Sequence, residues 1–164
     1  MGWGNIGNPY SQYHKINFQK SKIILDFCSS YNFKKVIFCG SINEYGNKNG
    51  KVKESDKKGK INNLYSKYKL QTTEYGLAKI KNFFSLRCSY IYGYEQRKGT
   101  LIDYLIKNIK LKKQINISHC MLYRDYIFVD DVANAFLKII TTKAEPGIYN
   151  VGSGKLITLK HLVL

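Results

Sequence analysis

Hydrophobic and polar positions along the chain alternate between two spacings. Apolar side chains recur at helical intervals within residues 16–31, whereas residues 36–39 form a short continuous apolar run that is typical of a buried strand. The same patterns predict further helices over 63–81, 101–111 and 131–140, and further strands over 83–88, 115–117, 126–129 and 148–151. The Gly- and Lys-rich residues 46–60 predict an exposed loop. Helices that alternate with buried strands indicate an α/β fold with a mainly parallel sheet.

The length and composition fit one domain of ordinary size. The chain has 164 residues, of which 44% are hydrophobic and 23% charged, so a packed core can form. Its longest apolar runs contain about five residues, far fewer than the roughly 20 that span a bilayer. We therefore expect no membrane partner.

The net charge of +16 has two interpretations. Of the 27 basic residues only Arg87, Arg97 and Arg124 are arginine, whereas proteins that read base edges rely on arginine. The lysine excess accompanies abundant Asn, Ile and Tyr, and all four residue types have A/T-rich codons, so a biased genome composition can produce the charge. We favour a solvated basic surface and expect no nucleic-acid partner. A polyanion partner is the alternative, because lysine also binds phosphate.

The four cysteines are at positions 28, 39, 88 and 120, and none belongs to a CxxC pair. Cys28 and Cys39 lie in strongly apolar stretches of sequence. This pattern predicts reduced, buried thiols in a cytoplasmic protein rather than a zinc site or a disulfide framework, and we expect no metal site.

The first motif candidate does not meet the structural requirements of its chemistry. Residues 2–7 read Gly-Trp-Gly-Asn-Ile-Gly, which is the spacing of a dinucleotide-binding fingerprint. That fingerprint needs a preceding strand and a following helix, so that helix amides can hold a pyrophosphate. Only Met1 precedes the segment and Asn8-Pro9 follows it. We therefore interpret the segment as a Gly-rich loop.

A stronger candidate combines Tyr65 and Lys69 with Ser41. Tyr65 and Lys69 are four residues apart in a predicted helix, so they share one of its faces. A phenol has an unperturbed pKa near 10, and a nearby ammonium group favours the phenolate and makes the tyrosine a usable acid or base. Ser41 follows a predicted strand, where open α/β sheets bind ligands, and its hydroxyl can bond the oxygen of a reacting alcohol or ketone.

Further segments extend this pattern over nearly the whole chain. They are Asn17-x-x-x-Ser21, Val36 to Gly46 with its Ser-x-x-x-Tyr-Gly segment, Leu86 to Gly93, Tyr123 to Ala133, and Gly147-Ile148-Tyr149-Asn150-Val151-Gly152. With Tyr-x-x-x-Lys they resemble, in order and spacing, the extended short-chain dehydrogenase/reductase family of nucleotide-sugar epimerases, dehydratases and reductases. The resemblance implies a Rossmann-like, doubly wound parallel sheet, a small C-terminal substrate lobe and an NAD or NADP cofactor.

The resemblance also implies roles for single residues. Tyr65 would be the catalytic acid/base, Lys69 would bind the nicotinamide ribose and lower the pKa of Tyr65, and Ser41 would orient the substrate oxygen. Asn17 would lie under the cofactor. Ser41, Tyr65 and Lys69 would thus serve in both catalysis and cofactor binding.

Four more residues take implied binding roles. Cys88 and Ser89 occupy positions that line the nicotinamide, with strand packing as the alternative. Tyr90 stands where many members contact the substrate. Arg124 matches the arginine that clamps the nucleotide diphosphate, which suits a fork-shaped cation. The alternative for Arg124 is a surface ion pair with one of two nearby aspartates, Asp125 or Asp130.

The chain also departs from the family pattern. The family's glycine fingerprint precedes the segment that begins here, so we expect a partial fold that lacks its first βαβ unit, truncated at both ends. Residues 1–95 and 125–142 would form the core, and 96–124 and 143–164 would belong to the substrate lobe. Because much of the cofactor cradle would be missing, we expect weak NAD(P) binding and little activity from this chain alone.

The segment after Ser41 bears on the reaction. Family dehydratases place acidic residues directly after this position, where the chain has Ile42 and Asn43, so dehydration is disfavoured. Gly40 to Gly46 resembles the segment of 4-ketoreductases of nucleotide-linked deoxysugars, and 4-epimerases share most of the other motifs. The resemblance therefore implies a 4-epimerase or 4-ketoreductase with a nucleotide-sugar substrate, and a homodimer. An inert remnant of such an enzyme is the alternative, and the residues do not distinguish NAD from NADP.

Overall fold

Helices and strands alternate along the chain, as the hydrophobic pattern predicts. The computed structural model describes residues 8, 10–48, 50–94, 96, 98–117 and 121–163. In chain order the elements are α1 (Tyr13–Ser30), β1 (Val36–Ser41), a 3₁₀ helix (Ile42–Tyr45), α2 (Leu64–Lys79), β2 (Phe83–Cys88), β3 (Tyr90–Tyr92), α3 (Leu101–Lys110), β4 (Tyr123–Phe128), α4 (Val129–Thr141), β5 (Gly147–Val151), β6 (Leu156–Thr158) and α5 (Leu159–Val163).

The chain divides into two units. The first ends at Cys88 and resumes with Phe136–Val151, and the second comprises Ser89–Ala135 and the residues from Gly152 onward. The division differs from the one expected from sequence, which assigned residues 143–164 to the substrate lobe. Residues 147–151 instead form β5, which pairs in parallel with β2 in the sheet of the first unit.

Three parallel strands form the sheet of the first unit, in the order β1-β2-β5. All six residues of the central strand β2 are buried, as expected for a parallel strand that is covered on both faces. A core cluster of Leu25, Ile80 and Phe83 packs α1 and the end of α2 onto this sheet. The predicted α/β class with a mainly parallel sheet is therefore confirmed.

The edge position of β1 corrects two expectations. Val36, Ile37 and Phe38 are only half-buried and Cys39 is exposed, whereas the sequence predicted a buried strand and a buried thiol. A continuous apolar run indicates burial on both faces, but it carries no information about how many neighbours the strand has. Among the residues that the structure describes, β1 pairs only with β2, so one side of the strand has no strand partner.

The second unit contains three short strands in the order β3-β4-β6. β3 pairs with β4 in parallel, and β6 pairs with β4 antiparallel. The strand predicted over 115–117 is wrong, since these residues have no strand geometry and the Asn116 N–H instead donates to the Tyr104 hydroxyl at 3.1 Å. Asp125 on β4 accepts hydrogen bonds from the backbone N–H groups of Ser153 and Gly154, each at 2.9 Å, and so holds the turn between β5 and β6.

Two expectations lie outside the described residues: the loop interpretation of Gly2 to Gly7 and the buried state of Cys120. Within the part of the chain that is described, every helix is too short or too polar to cross a bilayer.

Candidate active site

The fold brings the predicted site residues of the first unit to the carboxyl end of its sheet. Because β1 and β2 run parallel, their last residues, Ser41 and Cys88, lie opposite each other. The Asn63 side chain caps α2 by accepting an N–H bond at 2.8 Å, which places Tyr65 in the first turn of that helix. Lys69 follows one turn later on the same face.

Ser41 acts on the phenol of Tyr65. Hydrogen bonding from the Ser41 hydroxyl favours the phenolate and lowers the pKa of Tyr65. The serine therefore acts as the donor in that state. Its oxygen in turn accepts the backbone N–H of Asn43 at 3.2 Å, so the hydroxyl proton is left for the phenol.

Lys69 is fixed beside the end of β1. Its ammonium group donates a hydrogen bond to the backbone carbonyl of Cys39 at 2.7 Å and lies 4.7 Å from the centre of the Phe38 ring. The remaining ammonium protons can serve a ligand, because the group has three donors.

The electrostatics of Tyr65 differ from the sequence-based expectation. Burial raises the pKa of Tyr65 above its ordinary value, and the Ser41 hydrogen bond lowers it by less. Negative charge on Cys39 and Glu44 raises the pKa further. The pKa of the phenol is therefore raised on balance, since desolvation outweighs the effect of Ser41, and a lowering of this pKa by Lys69 stays a prediction.

A cavity of about 520 Å³ opens beside these groups, along β1 and between α1 and α2. Asn17, Tyr65 and Lys69 line it together with His14 and Cys39. Its size lies within the range of small-molecule sites. The carboxamide, phenol and ammonium groups are donors and acceptors of the kind that bind sugar hydroxyls.

Cys39 and Cys88 form a thiol pair at this edge. Hydrogen bonding with Cys88 lowers the pKa of Cys39 to about 6; partial desolvation opposes this shift, and the charge of Lys69 adds to it. The same bond and burial raise the pKa of Cys88, which is 3% exposed. Cys39 is therefore the sulfur that carries the negative charge near neutral pH.

Three neighbours of the site were not predicted to belong to it. His14 is buried, and its ring meets the Tyr65 ring edge-on at 5.3 Å between centroids. Its spacing from Asn17 places both on one face of α1, which is a signal that the sequence contains. Glu44 and Arg87 form a fully buried ion pair directly behind Ser41. The signal for this pair is an arginine within an apolar strand, because such a charge requires a partner.

The other candidate residues belong to the second unit. Ser89 donates a hydrogen bond to the Asp125 carboxylate at 3.5 Å. The Arg124 guanidinium lies 5.0 Å from the centre of the Tyr90 ring and donates to the backbone carbonyl of Tyr123. Among the ion pairs of the described residues Arg124 has none with an aspartate, so the alternative interpretation as a surface ion pair is wrong.

The model of the NAD dependent epimerase/dehydratase family matches residues 3–152. CDP-abequose synthase of Salmonella muenchen is 38% identical over 82 residues, which are 49% of this chain and 28% of that protein. dTDP-4-dehydro-6-deoxyglucose reductase of Escherichia coli is 36% identical over 83 residues, which are 48% of this chain and 26% of the reductase.

A solved structure shows the same fold. UDP-glucuronic acid 4-epimerase from Bacillus cereus, in complex with UDP-glucuronic acid and NAD, superimposes with a TM-score of 0.80 at 23% identity. The match covers 97% of this chain and 52% of the epimerase. The chain thus spans about half the length of the relatives that it matches almost end to end.

Proposed function

The chain belongs to the NAD dependent epimerase/dehydratase family. We propose that it acts as an NAD(P)-dependent oxidoreductase of nucleotide sugars, of the 4-ketoreductase or 4-epimerase type. The observation that carries the proposal is the placement of Ser41, Tyr65 and Lys69 at the carboxyl end of β1, where Ser41 ends the strand and the Lys69 ammonium donates to the Cys39 carbonyl at 2.7 Å. Lys69 and Asn17 line the adjoining cavity. A phenol, a hydroxyl and an ammonium group in this arrangement suit proton transfer to and from a sugar oxygen.

The described residues fit the nicotinamide and ribose end of such a cofactor. Tyr65, Lys69 and Asn17 supply hydrogen-bonding groups for ribose hydroxyls, and the cavity of about 520 Å³ has apolar walls for a ring. Cys88 and Ser89 are further candidates for the nicotinamide side. When bound, the nicotinamide would supply the hydride chemistry at the sugar carbon, which no side chain can provide.

The side chains of the site would move and hold the proton. Tyr65 is protonated at neutral pH, since burial raises its pKa, so it can donate to the oxygen of a bound ketone. Ser41 donates a hydrogen bond to the phenolate that this transfer leaves behind. Lys69 adds a positive charge on the same helical face. The protonated resting state favours the ketone-reducing direction, in which the tyrosine acts as an acid.

Nucleotide sugars are the substrate class that the family and its named relatives favour. Two residues of the second unit are the candidates for binding them, Tyr90 for the sugar and Arg124 for the diphosphate. A guanidinium group matches the bidentate geometry of phosphate oxygens. We further expect a homodimer located in the cytoplasm.

Dehydration is disfavoured by the turn after Ser41. Ile42 and Asn43 offer no carboxylate, and the single acid of the turn, Glu44, has no exposed surface and is paired with Arg87. A carboxylate that is held in this way does not reach a substrate carbon. This burial supports reduction or epimerisation over dehydration.

The decisive experiment replaces Tyr65 by phenylalanine. Wild-type protein at high concentration is incubated with a nucleotide-linked 4-keto-6-deoxyhexose and excess NADH or NADPH, because we expect weak cofactor binding and slow turnover from this chain alone. Cofactor oxidation is followed by absorbance. We expect Tyr65→Phe to lower kcat by about 10²–10⁴-fold because the proton donor is lost. Tyr75→Phe on the same helix, which removes an exposed hydroxyl bonded to Asp26, is the matched control and should leave kcat unchanged. Equal rates for Tyr65→Phe and wild type would refute the proposal.

A further inference from the structure

Glu44 connects the candidate catalytic serine to a buried charge. Its carboxylate has no exposed surface, and one oxygen accepts the backbone N–H of Ser41 at 2.8 Å. The other oxygen accepts the Arg87 guanidinium at 2.9 Å, and Arg87 is 2% exposed. Both carboxylate oxygens are therefore engaged, one by the serine and one by β2.

The surroundings hold this pair in one geometry. The Arg87 guanidinium lies 4.4 Å from the centre of the Tyr45 ring, and the Tyr45 hydroxyl donates to the Asn150 side chain at 2.8 Å. Gly40 leaves room for the carboxylate, because a Cβ there would approach a Glu44 oxygen to 2.7 Å. The arrangement joins the last residues of β1, β2 and β5, which lie side by side in the sheet.

A buried ion pair is weak evidence for stability, because desolvation of both charges offsets most of their attraction. What the pair does fix is orientation. Ser41 is held at two points, because its backbone N–H donates to Glu44 and its side-chain oxygen accepts the Asn43 N–H. We propose that Glu44, anchored by Arg87, is a positioning residue that holds Ser41 in hydrogen-bonding contact with Tyr65.

Charge and position have opposite effects on Tyr65, which makes the proposal testable. The Ser41 hydrogen bond lowers the pKa of Tyr65, whereas the negative charge of Glu44 raises it by a smaller amount. Glu44→Gln removes the charge and breaks the anchoring, since one of the two carboxylate oxygens becomes an NH₂ group, which cannot accept from Ser41 or Arg87. If Glu44 positions Ser41, the pKa of Tyr65 rises in this variant. If Glu44 acts only through its charge, the pKa falls.

The measurement is a ¹³C NMR titration of protein with labelled tyrosine rings, in which the Tyr65 resonance is assigned by its loss in Tyr65→Phe. We expect Glu44→Gln to raise the pKa of Tyr65 toward the value in Ser41→Ala, and Glu44→Asp to have a smaller effect. In a Ser41→Ala background, Glu44→Gln should no longer raise it. A fall in the wild-type background, or the same rise without Ser41, would overturn the proposal.

Tyr45→Phe is the matched structural control. It keeps the ring beside Arg87 but loses the bond to Asn150, so it perturbs the same buried cluster without touching Ser41. It should lower the melting temperature and leave the pKa of Tyr65 unchanged. An equal pKa change in Tyr45→Phe would mean that any disturbance of the cluster moves Tyr65, and would also overturn the proposal.

The kinetic part of the inference rests on the proposed function. In the reduction assay Glu44→Gln should lower kcat about tenfold with little change in KM, and the Ser41→Ala/Glu44→Gln double variant should match Ser41→Ala alone. Independent, multiplying effects would contradict positioning through Ser41. If no variant, including wild type, turns over the ketone, the proposed function fails while the NMR titration still decides the role of Glu44.

Discussion

The two sides of the Ser41–Tyr65 contact differ in access to solvent. On one side lies the buried cluster of Glu44, Tyr45 and Arg87, whose members are at most 2% exposed. On the other side the cavity is open along β1, where Cys39 is exposed and Lys69 is half-buried. The comparison indicates how the site is built: one side fixes the orientation of the reacting groups, and the other admits a ligand.

The largest effect is expected from breaking the buried cluster. Arg87→Met leaves the Glu44 carboxylate buried without its cation, and removing one partner of a buried pair costs about 3–5 kcal/mol of folding free energy. Urea unfolding monitored by circular dichroism measures the change.

An ion pair on the surface provides the control. Lys58 and Glu74 form a pair whose side chains are 42% and 50% exposed, so Lys58→Met should cost less than about 1 kcal/mol. Similar losses for the two variants would mean that the burial of the Glu44–Arg87 pair has no energetic consequence, and the comparison between the two sides would fail.

A smaller effect is expected where α2 packs on β2. Gly76 lies in the last turn of α2, and a Cβ at this position would overlap the ring of Phe83. Alanine is about 1 kcal/mol better than glycine in a helix, but overpacking costs roughly 1–3 kcal/mol, so Gly76→Ala should destabilise the protein by about 1 kcal/mol. Thermal unfolding of Gly76→Ala, with and without Phe83→Leu, tests this cause. The loss of stability caused by Gly76→Ala should be smaller when Phe83 is leucine. A gain in stability from Gly76→Ala alone would show that the Phe83 ring can move to accommodate the methyl group.

The elements of the first unit could be predicted because each has a clear periodicity or a continuous apolar run. α1, α2 and β2 begin and end within a few residues of the predicted bounds. The edge position of β1 could not be predicted, since pairing partners are set by topology and not by local pattern. β3 and β6 have three residues each and are too short to show a period. Residues 115–117 form no strand, and the Asn116 N–H donates to the Tyr104 hydroxyl instead.

The site shows the same limit. Tyr65 and Lys69 are one helical turn apart, and Ser41 ends an apolar run, so local spacing, together with the family resemblance of the flanking motifs, identifies them as candidates. The contact between Glu44 and Arg87 joins residues 43 positions apart in sequence, and only the pairing of β1 with β2 brings them together. The pKa of Tyr65 depends on burial, which spacing does not report. Candidate residues on one helix face or at one strand end can thus be proposed from sequence. Contacts between distant segments, and the balance between desolvation and hydrogen bonding, require the structure.

The smallest effect is expected in the reactivity of the two thiols, one on the open side and one on the buried side of the site. Cys39 on the open side has a pKa of about 6, whereas the pKa of the buried Cys88 is raised. A low pKa increases the thiolate fraction at acidic pH but also weakens the nucleophile, with a Brønsted coefficient of about 0.4–0.5. At pH 6 Cys39 should therefore react with iodoacetamide about tenfold faster than an ordinary thiol of pKa about 8.5, and this advantage should vanish by pH 8. Mass spectrometry of tryptic peptides over time, with a cysteine peptide as reference and Cys39→Ser to assign the fast reaction, measures the rates. A rate at Cys39 that keeps rising up to pH 8.5 would show that neither Cys88 nor Lys69 stabilises its thiolate, and the open side would then carry no negative charge at neutral pH.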